Sequence, residues 1–447
     1  MSGVLLGADL GTSGLKLVAL GEDGGTVAET EAGYAVDSPR EGWAECAVGT
    51  WRAAFDDALA RLLPALGGRP VAGLGLSGQM HGTVLVDDAG AALAPAVLWP
   101  DRRAAAEVDR WRALPAGDRA ALANPLVPGM TGPALAWLAA HRPDLLDRAA
   151  AVLLPKDAFR ATLLPGADPR VTDRSDASAT LLWDVVADGW SAAARAAAGV
   201  PAELLPAVRP SAEVTGTAVL GGAEVPVVVG GGDTPLALLA AGTSGGLQVN
   251  LGTGAQVLRP GWVPAPADDP PVHGYADAED GWYAMAALQN GGSAWTWVAG
   301  VFGVTSGELL ELAATSAPGA GGAVFRPFLT GERGGVAGPA DRAGWSGLGA
   351  GTTRADLARA AVEGVLSAVA AAAGLLGGAP PGPVVLTGGG GRSPLVRQVL
   401  ADLLGRPVAF LPLRSASAVG AAVLAGRGVG LAVEPRRAPE PPVPPRT

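Results

Sequence analysis

The sequence predicts an α/β protein built from two domains, and three observations carry that expectation. Apolar strand-like runs alternate along the chain with Ala- and Leu-rich helical stretches, the rhythm of layered α/β folds. The length of 447 residues exceeds what one hydrophobic core usually organises, so two cores of roughly 200 residues each are expected. A strand, a Gly-Thr turn and a second strand occur twice, once in each half: VLLGADLGTSGLKLVAL at 4–20 and LQVNLGTGAQVL at 247–258.

After the first hairpin, strand-like runs follow at 71–78 (VAGLGLSG) and 83–88 (TVLVDD), and a helix is predicted over 104–114. The stretch RSDASATLLWDV at 174–185 and a helix over 190–199 close the first half, before Pro-punctuated connectors at 201–215. These signals put the domain division near 216–225, giving domains of 1–220 and 221–432. The second half opens on the buried-strand run VPVVVGGG at 225–232 and passes through the second hairpin to a helix over 355–376. Alanine, the best helix former, dominates that stretch. A strand at 383–387 then meets four glycines at 388–391 and a helix starting about Ser393. Residues 433–447 form a Pro-rich tail, extended or disordered.

Composition excludes several classes. With 49% apolar and 17% charged residues, the chain is neither disordered nor collagen-like. A net charge of −10 opposes binding to nucleic acid, which needs a positive face. The single thiol, Cys46, precludes an intrachain disulfide or a cysteine zinc cage and suits the reducing cytoplasm. Apolar runs are interrupted before the ~20 residues of a membrane span. The N-terminal apolar run lacks a preceding basic stretch, so it reads as a first core strand and not as a signal peptide. Of the 32 Lys and Arg residues only Lys16 and Lys156 are lysines, a bias toward Arg at the coding level. Lys16 follows the first Gly-Thr turn, where a compact point charge is poorly replaced by the planar Arg fork; chance survival is the alternative.

Two Gly-Thr turns suit two clamps on one polyphosphate, because glycine lets backbone N–H groups approach an anion closely. The hydroxyls of Thr12, Ser13 and Thr253 would add hydrogen bonds to phosphate oxygens; two ordinary hairpins are the plainer reading. The glycines at 388–391 precede a helix N-terminus, whose unpaired N–H groups and positive dipole end suit a nucleotide, although a flexible turn needs the same residues. Asp233 follows an apolar strand and so lies at the carboxyl end of a sheet, where open α/β sheets bind ligands. A carboxylate there suits the general base of phosphoryl transfer to an alcohol, and it equally suits the N-cap of the following helix. Asp9, where the first strand meets its turn, is placed to hold Mg²⁺ through water. GLGLSG at 73–78 matches a dinucleotide fingerprint in letters only, since another strand follows it where that fingerprint needs a helix. No G-x-x-x-x-G-K-[ST] loop is present either. His81, with Gln79, suits the edge of a pocket for a polyhydroxylated ligand, or a satisfied core position. Trp99, beside Asp101, offers an indole face for sugar stacking.

Ten segments in order resemble the FGGY family of carbohydrate kinases, and within it the bacterial xylulokinases. They are GADLGTSGLK at 7–16, GWAE at 42–45, GLSGQMHGTVLVD at 75–87, AVLWPDRR at 96–103, PGMTGP at 128–133, LLPKDAFRATL at 153–163, TDRSDASATLLWDV at 172–185, GGGDTPLALLAAG at 230–242, FRPFLTGERGG at 325–335 and TGGGGRSPLVRQVLADLLG at 387–405. The resemblance implies an actin-like (ribonuclease H-like) ATPase fold of two duplicated α/β domains. ATP and Mg²⁺ would occupy the central cleft, with the sugar deep on the N-terminal side. By position, Asp233 matches the family's catalytic base and Asp9 its metal-associated carboxylate. Met80, His81 and Asp101 match sugar contacts. Gly252 and Thr253 match the second phosphate turn, and Gly389, Gly390 and Ser393 the adenosine segment; Thr12, Ser13 and Lys16 belong to the first turn.

Three departures bear on the acceptor: Thr234-Pro235 replaces the usual Asn after the base, GERGGV replaces GERTPH, and LWPDRR replaces LWNDGR. The expected reaction is ATP-dependent phosphorylation of a ketopentose at its terminal hydroxyl, foremost D-xylulose to its 5-phosphate. Ribulose, sedoheptulose or a pentitol are alternative acceptors. A non-catalytic ATP- and sugar-binding regulator and an actin- or chaperone-like ATPase are the rival classes. The expected partner is a small sugar, without nucleic acid or membrane, and a homodimer is the default assembly.

Overall fold

Strand Val4–Leu10 is apolar on both faces and almost wholly buried, as a central strand covered on both sides must be. The computed structural model describes residues 3–242, 246–378 and 381–446. Gly14–Gly21 pairs antiparallel with this strand and Val71–Gly78 pairs parallel on its other side. Their registers set Asp9 opposite Lys16 on one flank and opposite Ser77 on the other. The first sheet runs 214–220, 223–228, 71–78, 4–10, 14–21, 26–33, with Gly231–Gly232 pairing beside Ser77 and Gly78. The hairpin of Val214–Leu220 with Ala223–Val228 therefore straddles the expected division at 220/221, and both its strands belong to the first sheet.

Because side chains alternate along a strand, Val4, Leu6, Ala8 and Leu10 share one face and meet Trp51, Phe55, Ala58 and Leu62 of helix Val48–Ala65. Leu5, Gly7 and Asp9 take the other. That face is covered by Ala416–Gly428, a helix from near the C-terminus. A Cβ on Gly7 would lie 1.8 Å from the Ala418 carbonyl oxygen, so glycine is what lets the helix come so near. The same helix crosses helix Asp233–Ala241 closely at Gly420, where a Cβ would lie 2.0 Å from the Leu236 oxygen. The first lobe thus takes a covering layer from the far end of the chain.

The second sheet runs 273–276, 282–288, 255–260, 248–251, 384–387, 408–410. Helix Arg354–Leu375 packs in this lobe and begins at a capping box, in which Thr353 and Asp356 each satisfy the other's backbone N–H. It is long and apolar enough to cross a membrane, which the interrupted apolar runs did not suggest. Its Val362, Val365, Leu366 and Val369 are instead buried in the lobe's core. The predicted helix at 104–114 is helical only over Val108–Arg112. The glycine run becomes a 3₁₀ turn, Gly389–Arg392, ahead of helix Pro394–Leu404.

The tail is extended and docked as far as residue 446. Arg436 pairs with Asp23 on the first lobe, while Val443 pairs its backbone with Val408 and Arg446 grips Asp402 on the second. Arg437 Nε donates to Ala240 O at 2.7 Å, a cation against the carbonyl end of the 233–241 helix.

Candidate active site

Alternation along Val4–Leu10 turns Asp9 toward the face where helices 233–241 and 416–428 lie, and this brings it into electrostatic range of Asp233. Ser77 Oγ donates to Asp9 Oδ1 at 2.8 Å. Asp233 opens its helix as the first helical residue; the N-cap position belongs to Gly232, so the capping role expected of Asp233 is corrected by one residue. Its Oδ1 accepts from the Thr234 amide at 2.7 Å, and Ser417 Oγ donates to its backbone oxygen at 2.9 Å. Burial first, and the Asp9 charge second, raise the Asp233 carboxyl to about 7, against the Thr234 amide, which favours the ionised form. Burial also raises Asp9, opposed by the Ser77 bond and the Lys16 charge. A carboxyl poised near neutrality is matched to accepting a proton under physiological conditions.

At the first hairpin, Tyr34 Oη and Gln79 Nε2 both donate to Gly11 O, at 2.5 and 3.1 Å. Trp99 Nε1 donates to Thr12 Oγ1 at 3.0 Å, while Ser13 is exposed at the tip. Trp99 therefore braces the turn, and the Arg333 guanidinium lies over its ring, 5.8 Å from the centroid. At the second hairpin, Gly252 O accepts from Gly292 N at 2.8 Å and Thr253 O from Ser293 N at 3.0 Å, seating the turn on the start of helix Gly292–Phe302. A Cβ on Gly390 would lie 2.7 Å from the Leu251 side chain, so the glycine turn and this hairpin form one patch. Beside Gly389 there is open space. Ser393 caps helix 394–404 by position, without a side-chain cap bond.

Met80 packs against Gly232, the residue before Asp233: a Cβ on Gly232 would lie 2.8 Å from Met80 Cγ, and Tyr283 Oη reaches Met80 Sδ at 3.8 Å. His81 takes a left-handed backbone (φ 74) and sets Nδ1 2.7 Å from Ala179 O. Burial lowers the imidazole to about 4, helped by the Arg333 charge, so it is neutral near pH 7 with Nε2 as its acceptor. From the second lobe come Tyr275, whose ring lies 5.6 Å from that of His81, and His273, whose Nδ1 is 2.6 Å from Tyr275 Oη.

Ser77, His273, Tyr275 and Arg333 escaped the sequence reading. Ser77 lies in SGQMHG, two residues before Gln79, and Arg333 lies in GERGG, so both stand in motif-bearing segments. His273 and Tyr275 carry no local motif. Among the described residues no group of three or more His, Cys, Asp or Glu is arranged to hold a metal. Asp9 and Asp233 are a carboxylate pair whose mutual repulsion a cation would relieve. That donor set fits Mg²⁺ only if water and phosphate complete the shell.

Asp101 is an anchor. Its Oδ2 accepts from Ala44 N and Arg103 Nη2, both at 2.7 Å, and its Oδ1 from Arg103 N and Nε at 2.8 and 2.9 Å. The four lone-pair sites of the carboxylate are thereby filled from within the protein, so Asp101 is held in place by its neighbours. Arg103 also reaches Glu45 at 2.7 Å and stacks 3.6 Å from the Trp43 ring centroid, tying the 42–45 loop down. Arg103→Ala leaves Asp101, 3% exposed, without its partner. It is expected to cost about 3–5 kcal/mol, visible as a drop in Tm of many degrees; an unchanged Tm would refute the anchoring role.

Two α/β lobes, each with a Gly-Thr hairpin, and the Asp9 and Asp233 carboxyls within electrostatic range of one another belong to the actin-like ATPase fold. The chain belongs to the FGGY family of carbohydrate kinases: the family's N-terminal domain matches residues 4–240 and its C-terminal domain residues 241–429. It is accordingly an ATP-dependent sugar kinase. It is 32% identical to a xylulose kinase of Escherichia coli over 97% of this chain and 90% of the relative. It is also 32% identical to a glycerol kinase of Aromatoleum aromaticum, over 96% and 90%. The crystal structure of xylulose kinase from Rhodospirillum rubrum superposes with a TM-score of 0.89 at 28% identity, covering 99% of this chain and 94% of that one.

Proposed function

We propose that the protein transfers the γ-phosphoryl group of ATP to the terminal primary hydroxyl of a ketopentose, D-xylulose foremost, with Asp233 as general base. The observation that carries this reading is the Asp233 carboxyl, held near 7 at the start of its helix and flanked by Met80. The similarity to xylulose kinases supports the acceptor. The equal identity to a glycerol kinase, with Thr234 after the base, favours a smaller polyol as the second reading.

In this mechanism the turns at Thr12–Ser13 and Gly252–Thr253, with Lys16, hold the phosphates, and Gly389, Gly390 and Ser393 border the adenosine. Neutral His81 accepts a hydrogen bond from a sugar hydroxyl at Nε2. Asp233 takes the proton of the attacking hydroxyl as its oxygen bonds to phosphorus and the bond to the ADP oxygen breaks in line. Magnesium held by Asp9 through water would neutralise charge on the phosphates. Closure of the lobes excludes water, which is otherwise a competing acceptor. We place the protein in the cytoplasm, where its buried single thiol stays reduced, and take a homodimer as its assembly.

Coupled ADP release with Mg·ATP tests this against D-xylulose, D- and L-ribulose, D-fructose, sedoheptulose, D-arabitol, xylitol and glycerol, each beside a no-sugar control. D-xylulose is expected to lead. A lead by glycerol or a pentitol would move the acceptor to the second reading, and ATP turnover independent of any sugar would sink both.

A further inference from the structure

Five ionisable side chains are sealed behind the strand that delivers Asp233. Lys156, Asp157, Asp173 and Asp176 are 0% exposed and Arg160 is 3% exposed. Lys156 Nζ lies 2.6 Å from Asp157, 3.3 Å from Asp173 and 3.4 Å from Asp176, and Arg160 Nη1 lies 2.6 Å from Asp157. Three carboxylates face two cations. Burial, reinforced by the other two carboxylates and opposed by Lys156, raises the Asp176 carboxyl well above the usual range. Burying such a cluster is costly, and well-packed apolar residues often serve stability as well or better. A reason for it lies in what it grips.

It grips the 229–232 backbone at two points. Lys156 Nζ and Arg160 Nη1 donate to Val229 O at 3.3 and 2.8 Å. Ser175 Oγ donates to Asp173 Oδ2 at 2.5 Å and accepts from the Gly232 N–H at 3.0 Å. Between those points Gly230 takes φ +88, and a Cβ there would meet Leu76 O at 2.3 Å and Lys156 Cδ at 3.0 Å. The backbone entering Asp233 is therefore held from behind at a carbonyl and at an amide.

We propose that Ser175, seated by Asp173 and the Lys156 cluster, is a positioning residue for Asp233, fixing the Gly232 peptide from which the base departs. This rests on the reading of Asp233 as general base. Ser175→Ala removes one hydroxyl from the middle of the relay. Its expected effect is a fall in kcat of about 10- to 100-fold, the scale of a misplaced catalytic group, with KM for ATP and Tm little changed and the acid limb of kcat/KM displaced. Ser211→Ala is the control: Ser211 Oγ also reaches Asp173, at 3.2 Å, but meets the loop only through its backbone oxygen at Gly230 N. It is expected to keep kcat within about twofold of wild type. A Ser175→Ala enzyme with unchanged kcat, or equal losses in both variants, overturns the proposal. Asp233→Ala run alongside separates the two ideas. If it still turns over, the base assignment fails; if it is dead while Ser175→Ala is unimpaired, only the positioning role fails.

Discussion

Asp233→Ala is expected to lower kcat by about a thousandfold or more, the upper range for loss of a general base, while calorimetry still detects ATP binding. No other described carboxyl has Asp233's combination of place and poise: it starts a helix at the carboxyl end of the first sheet, beside Met80, and its proton affinity is raised to about 7. Because the base must be ionised, kcat/KM of the wild type is expected to fall about tenfold per pH unit below 7. Stability runs the opposite way. An unfolded aspartate ionises near 3.8, whereas this one holds its proton to about 7, so the native state binds the extra proton through that window. Ionising Asp233 therefore costs native stability progressively from about pH 4 to 7 and most fully above 7. The isosteric Asp233→Asn is expected to raise Tm at pH 8 and to leave it unchanged near pH 4, a trade of stability for function. Substantial turnover by Asp233→Ala, or a Tm gain equal at both pH values, would contradict the assignment.

Asp9→Asn is expected to lower kcat by about 100-fold, as removal of a charge that organises the phosphates should. KM for the sugar is expected to stay near the wild-type value, and the half-saturating Mg²⁺ concentration to rise. A second signature is independent of metal. The Asp9 charge contributes to the raised Asp233 carboxyl, so its removal is expected to move the acid limb of kcat/KM to lower pH. Steady-state rates across pH and Mg²⁺ check both. A fully active Asp9→Asn enzyme whose pH profile is unmoved would remove Asp9 from the mechanism.

Much of the core scaffold was readable because it is written in short-range periodicity. The runs at 4–20, 71–78 and 247–258 announce strands by apolar character and glycine punctuation, and the strands form there. Asp9 and Asp233 were legible for the same reason, since each stands where a strand run ends at a turn. One boundary set by a weaker signal shifted: the helix expected over 104–114 shrank to Val108–Arg112. The tail, expected to be extended or disordered, is extended and docked because Arg436, Val443 and Arg446 find partners on both lobes.

What the sequence by itself determined is the α/β alternation, the two hairpins and the chemical types available at strand ends, because these depend on residues within a few positions of one another. Only the tertiary structure decided that Asp101 spends its carboxylate on Arg103 and Ala44, and that the 416–428 helix covers the N-terminal sheet. It also decided that Tyr275 stands beside His81, and that Lys156 is sealed among three aspartates behind the backbone leading to Asp233. Each of these rests on groups distant in sequence meeting at atomic range. Burial and neighbouring charge, which set whether a carboxyl is a base, an anchor or a neutral acid, exist only once those groups have met.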